Sequence, residues 1–151
     1  MIDSTRDGTA DDGNGRPLCI LVAEDDAINQ KVIAAHLGRL GYRVDIAVNG
    51  QEAVEAATRI RYDLILMDIH MPVLDGIEAA RQIRRLDGDR SRVPIIAVTA
   101  NTMFELSERV DGAEIDDFVP KPIHTDALLA AIDRQLGTEG GSSWRGPAAD
   151  R

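Results

Sequence analysis

Three apolar runs, Ile20-Leu21-Val22-Ala23, Leu64-Ile65-Leu66-Met67 and Ile95-Ile96-Ala97-Val98, constrain the fold of this chain more than any other feature. Each is unbroken for four residues and gives way at once, to Glu24-Asp25-Asp26, to Asp68 and to Thr99-Ala100. A strand with one wet face alternates apolar and polar residues, so an unbroken run marks a strand covered on both faces, as in a parallel sheet layered between helices. Helix-like segments separate the runs, the alternation that implies βαβ units, and no internal repeat suggests a solenoid.

Two weaker segments complete the sheet. Val44-Asp45-Ile46 alternates, and Phe118-Val119-Pro120 is short and contains a proline, so both belong at edges. With right-handed crossovers the economical solution is an α/β fold: a doubly wound five-stranded parallel sheet of order 2-1-3-4-5 with helices on both faces. Ligands bind such sheets outside the carboxyl ends of the strands, where the order reverses. Glu24, Asp25 and Asp68 lie there, and Thr99 and Lys121-Pro122 share the same edge.

Helices follow from their caps. Asp26 opens one expected to bury Ile28, Val32, Ala35 and Leu40 and to stop at Gly41; Asn49 opens a second carrying Val54, Ala57 and Ile60. Asp75 opens a third with Glu78 at capping-box spacing and a stripe of Ile77, Ala80 and Ile83. Met103, Phe104, Leu106 and Val110 read as the core stripe of a fourth. A last helix starts near Thr125 and buries Leu128, Leu129, Ile132 and Leu136.

The chain has 151 residues, enough for one domain that folds alone, expected over residues 17–136. Residues 1–16 and 137–151 are rich in Gly, Asp and Ser and are expected to be disordered. A formal net charge of −9, with no Lys/Arg cluster, argues against direct nucleic-acid binding. A single cysteine, Cys19, inside an apolar run excludes an internal disulfide and fits a cytoplasmic chain. No apolar stretch nears the roughly 18 residues of a membrane span.

Three carboxylates brought together at one sheet edge repel one another and need a counter-charge. Oxygen ligands of this kind, completed by a carbonyl and waters, suit Mg²⁺, which commonly accompanies a phosphate. Glu24, Asp25 and Asp68 therefore read as a Mg²⁺ site in which Asp68 attacks phosphorus, with Lys121 and Thr99 as partners for the phosphoryl oxygens.

These residues carry a resemblance. From about Leu18 to Leu136 the chain resembles the receiver domain of bacterial response regulators, a flavodoxin-like fold, through Glu24-Asp25, Met67-Asp68-Ile69-His70-Met71-Pro72, Asp75-Gly76, Thr99-Ala100 and Lys121-Pro122. The stretch Glu24 to Val32, with Gly41-Tyr42 and Asn49-Gly50, looks most like receivers attached to hybrid histidine kinases. The resemblance implies a phosphoacceptor of a two-component phosphorelay rather than an enzyme with its own turnover. Asp68 takes a phosphoryl group from a histidine kinase or histidine phosphotransfer protein. Asp25, Asp68 and the His70 backbone carbonyl hold Mg²⁺, with Glu24 acting through water. Thr99 and Phe118 are switch residues, and Lys121 pairs with the phosphoryl group, joined to Pro122 by a cis bond. His70 and Asn101 tune the lifetime of the phosphoryl group. The face of the fourth helix, fifth strand and fifth helix is the expected output surface, although Glu114 stands where the family usually ends the fourth helix with glycine.

Two other readings stand beside this one. A Mg²⁺-dependent phosphatase with Asp68 as nucleophile would call for a second Asp two residues on, where the chain has His70. A phosphorylation-independent binding module on the same fold would have little use for intact acids and lysine. Taken singly, Asp68 could be a loop acid or helix cap, and Asp26 reads as a cap outside the metal shell.

Overall fold

The computed structural model describes residues 17–100 and 115–137. The segments to 16 and from 138, and the expected fourth helix with Asn101, Met103, Phe104, Leu106, Val110 and Glu114, lie outside the described residues. Strands β1 (Cys19–Ala23), β2 (Arg43–Ala47), β3 (Leu64–Asp68), β4 (Ile95–Thr99) and β5 (Asp117–Pro120) alternate with α1 (Ala27–Arg39), α2 (Gly50–Arg59) and α3 (Gly76–Arg84). A 3₁₀ turn (Gly88–Arg92) precedes β4. The chain closes with α4 (Thr125–Ile132), the fifth helix of the expected series, prolonged by a π-helical turn over Asp133–Gly137.

The strands form one sheet of order β2-β1-β3-β4-β5, every neighbouring pair parallel. The three unbroken apolar runs are its three inner strands, and all of their residues are buried. Their side chains alternate between two cores. Leu21, Ile65, Met67 and Ala97 face Ala53, Ala57, Ile77 and Ile83 of α2 and α3. Ile20, Val22, Leu66, Ile96 and Val98 face Ile33, Leu37, Leu128 and Ile132 of α1 and α4.

Caps fix where the helices begin. Asp26, Asn49 and Asp75 each accept the backbone N–H three residues on, at 2.9, 2.8 and 2.9 Å, an interaction typically worth about 1 kcal/mol per helix. Gly41, at φ 92°, supplies the left-handed residue between α1 and β2.

Within two helices the buried stripe differs from expectation. Ile28 and Val32 are 70% and 47% exposed and Ala35 is exposed, while Ile33 and Leu37 are buried and Leu40 packs beside them. Both sets, 28-32-35 and 33-37-40, follow helical spacing, so periodicity alone could not choose between them. The stripe containing Leu37 is the one that leads into β2, because the Leu37 carbonyl accepts the N–H of buried Tyr42. In α2, Ile60 is 43% exposed because it is the C-cap, already extended at φ −124° and ψ 140°, and no longer follows helical spacing.

Candidate functional site

The register of the inner strands brings the acids together. Ala23 pairs with Met67, so Glu24 and Asp68 emerge level with each other at the carboxyl edge, and Asp68 pairs with Val98 just before Thr99. Carboxylate oxygens of Glu24, Asp25 and Asp68 all lie within 4.8 Å of one another. Glu24 and Asp68 are 2% and 1% exposed, and Asp25 is exposed.

Each acid is held. Asp68 Oδ2 accepts Lys121 Nζ at 2.8 Å, and Oδ1 accepts the His70 backbone N–H at 3.1 Å. Glu24 Oε2 accepts the Asp26 N–H at 3.1 Å, and its backbone N–H donates to Ala47 across the sheet. Gln30, a residue the sequence did not single out, donates its side-chain N–H to the Glu24 carbonyl at 2.7 Å from the first turns of α1. Its only signal was its place one turn beyond the cap.

Lys121 is carried there by the end of β5, its N–H donating to the Thr99 carbonyl, with a cis bond to Pro122 as anticipated. Thr99 is fully buried beside it. Phe118 is half buried, two residues before Pro120, and packs against the core under α2 and α3. The His70 side chain is exposed. Asp26 caps α1, as expected, and is absent from the carboxylate cluster.

The loop after Asp68 is shaped by close backbone approach. Gly76 donates to the Ile69 carbonyl, and a Cβ at Gly76 would collide with the Asp68 carbonyl. At the start of α2, Gly50 donates to the Leu74 carbonyl, and a Cβ there would strike the same carbonyl. Only glycine lets both helix starts seat on this loop. Between them the Leu74 N–H donates to the Pro72 carbonyl at 2.7 Å, a γ-turn centred on Val73 at φ 70°. A β-branched residue at positive φ is a strained choice, and Val73 is 77% exposed, so burial does not compensate it.

The charges explain what such a site can take. Burial raises the Glu24 carboxyl above its usual range and the charge of Asp68 adds to that, against the opposing Asp26 amide and Lys121. Burial pulls the Lys121 ammonium down, but the hydrogen bond and charge of Asp68, with help from Glu24 and Asp25, outweigh it and leave the pKa raised. Three carboxylates against one ammonium leave about two negative charges uncompensated when all are ionised. A set of oxygen donors with that deficit fits a hard divalent cation such as Mg²⁺.

Residues 20–133 match the response regulator receiver domain. The chain belongs to the family of two-component receiver domains, and the five-stranded sheet is that family's fold. It is 44% identical to the receiver domain of the sensor histidine kinase PA1611 of Pseudomonas aeruginosa PAO1, solved with magnesium in its active-site cleft. That likeness has a TM-score of 0.74 and covers 80% of this chain and 98% of that one. It is 30% identical, at a TM-score of 0.72, to a structure of the Saccharomyces cerevisiae phosphotransfer protein Ypd1 with the receiver of Ssk1, covering 82% and 92%. Among curated proteins it is 40% identical over 126 residues to hybrid signal transduction histidine kinase I of Dictyostelium discoideum. The match covers 80% of this chain and spans 7% of that relative's length.

Proposed function

We propose that the chain is the phosphoacceptor of a phosphorelay, in which Mg²⁺-dependent transfer of a phosphoryl group from a phosphohistidine to Asp68 switches its conformation and partner binding. The observation that carries this reading is a buried carboxylate, Asp68, bonded to Lys121 at 2.8 Å and set among two further carboxylates. An Asp68 oxygen attacks phosphorus, the P–N bond of the donor breaks with its electron pair going to the imidazole, and an acyl phosphate remains on Asp68. Mg²⁺ would be held by Asp25, Asp68 and the His70 backbone carbonyl, with Glu24 acting through water, and would offset the negative charge of the incoming group.

Lys121 pairs with a phosphoryl oxygen, the Thr99 hydroxyl moves to donate to another, and Phe118 turns inward behind it. The acquired charge, about −1.5 to −2, biases two conformations that lie close in energy. Release of the group is hydrolysis of the same acyl phosphate, so the chain is a signalling domain that catalyses its own transfer and dephosphorylation.

The donor is a histidine kinase or histidine phosphotransfer protein. The Ssk1 receiver structure with Ypd1 supports a partner of that kind. On this chain the exposed stripe of Ile28 and Val32 begins two residues past the Asp26 cap, beside the acids, and offers an apolar surface for it. A downstream protein would use the face of β5 and α4, with the fourth helix expected from the sequence, which lies outside the described residues. Among the described residues no helix is long and apolar enough to cross a membrane. A cytoplasmic setting without direct nucleic-acid binding completes the proposal.

The test is intact mass after incubation with Mg²⁺ and acetyl phosphate, beside Asp68→Asn and Lys121→Ala. One phosphoryl adduct that requires Mg²⁺ and vanishes in Asp68→Asn is the expected result. No adduct, together with an amide spectrum indifferent to beryllofluoride, would overturn the reading in favour of a phosphorylation-independent binding module.

A further inference from the structure

We infer that β2 is a self-complementary edge through which two copies of this chain pair, antiparallel, about a twofold axis at Val44. The evidence lies at the β2 side of the sheet, where no further strand follows among the described residues, and is independent of Asp68. β2 ends the strand order. The Arg43 N–H donates to Leu18 and the Ala47 carbonyl accepts from Glu24, so alternate residues 43, 45 and 47 turn their backbone groups toward β1. By the same alternation Val44 and Ile46 turn theirs to the open edge.

An antiparallel partner on that edge makes Val44 and its symmetry mate a hydrogen-bonded pair, each N–H donating to the other's carbonyl. The Ile46 N–H can also donate to the partner's Tyr42 carbonyl. The Tyr42 N–H is already committed to Leu37, which limits the ladder to four bonds. Between these rungs Arg43 falls opposite the partner's Asp45, and Asp45 opposite the partner's Arg43, in the non-hydrogen-bonded positions where side chains come closest.

Charge selects this register. An axis at Arg43 or at Asp45 would set two arginines or two aspartates face to face, and an axis at Ile46 would pair Asp45 with Ala47. Charged residues on an edge strand ordinarily keep edges apart. Here one alignment turns both into attractions. The Arg43 guanidinium makes no hydrogen bond or ion pair among the described residues. Among the described residues Asp45 uses only Oδ2, which accepts the Tyr62 hydroxyl at 2.7 Å. On the other face of the ribbon, Ile46 at 37% exposure would lie against Tyr42 of the mate. Opposed strand directions leave the two carboxyl edges at opposite ends, so neither acid cluster is covered.

A five-residue strand gives an interface below the usual size for a stable dimer, so a dissociation constant of roughly 0.1–1 mM is expected. Sedimentation equilibrium of the wild-type chain from roughly 10 µM to 1 mM should show average mass climbing toward the dimer. Arg43→Asp and Asp45→Arg should each abolish the rise, and an equimolar mixture of the two should restore it, since opposite charges then face each other again. Because Asp45→Arg also removes the acceptor of Tyr62, Val44→Pro is the independent probe. It deletes an outward N–H without touching the ladder to β1, and should weaken association at least tenfold. A wild-type chain that stays monomeric through the range, or a dimer that persists in both Arg43→Asp and Val44→Pro, overturns the inference.

Discussion

Replacing Glu24 with Gln should make the metal-free protein more stable. The substitution keeps an oxygen to accept the Asp26 N–H and removes only the charge of a residue that is 2% exposed. Two unit charges no more than 4.8 Å apart repel by about 3.5 kcal/mol or more at an effective dielectric near 20. Lys121 attracts the same carboxylate and returns part of that, which leaves a net gain of about 1–2 kcal/mol and a rise in Tm of roughly 5 °C. The sign of the pH dependence follows from the raised carboxyl. Below its unfolded pKa near 4.5, Glu24 is protonated in both states and costs the fold little. As pH rises, the unfolded chain releases the proton first, so wild-type stability falls until the folded carboxyl has also ionised. The advantage of Glu24→Gln should therefore be small at pH 4 and grow as pH rises through and above the unfolded value. Mg²⁺ should narrow the gap, because it offsets the charge whose repulsion the substitution relieves. Thermal unfolding in EDTA and in Mg²⁺ across that pH range is the assay. A lower Tm for Glu24→Gln in EDTA at pH 7.5 would refute the account of the acid cluster.

Gly76→Ala should cost about 3 kcal/mol in urea unfolding, since the new Cβ meets the Asp68 carbonyl and β3 cannot yield. Val73→Asn should stabilise by about 1 kcal/mol, because Asn tolerates the left-handed region and an exposed Val gives up little packing. Ile28→Lys should change stability by less than about 0.5 kcal/mol and leave labelling by acetyl phosphate intact, while slowing transfer from a phosphorylated histidine donor at least fivefold. Equal slowing with both donors would place Ile28 in the chemistry rather than in docking. Arg134→Ala should loosen the π-helical turn after α4, measured as faster amide exchange at Gln135 and Leu136. Arg134 bonds both oxygens of Asp117, and although burial alone would raise that carboxyl, this pairing holds it below its usual range. Wild-type protection there should be present above the unfolded carboxyl pKa near 3.8 and fade as acid protonates Asp117.

The sheet was legible because its inner strands are covered on both faces, a condition that writes itself into sequence as unbroken apolar runs. The site was legible for a related reason. In a parallel sheet every strand delivers its next residue to one edge, so Glu24, Asp68, Thr99 and Lys121 meet once the order is known. The rotation of α1 was not legible, since apolar residues occur on two of its faces and only packing chooses Ile33 and Leu37 for the core. Leaving Ile28 and Val32 in water is unfavourable for an isolated domain, roughly 1 kcal/mol or more for each side chain not buried. That choice makes sense if this face of α1 is covered intermittently. The backbone of the loop after Asp68 was equally hidden. Nothing in Met71-Pro72-Val73-Leu74 announces a γ-turn, because its geometry is imposed from outside by the starts of α2 and α3 closing on Leu74 and Asp68 through Gly50 and Gly76. Strain at Val73 is thus held by two glycines that read in sequence as ordinary helix punctuation. The loop beside Asp68 is therefore as much a product of the neighbouring helices as of its own residues.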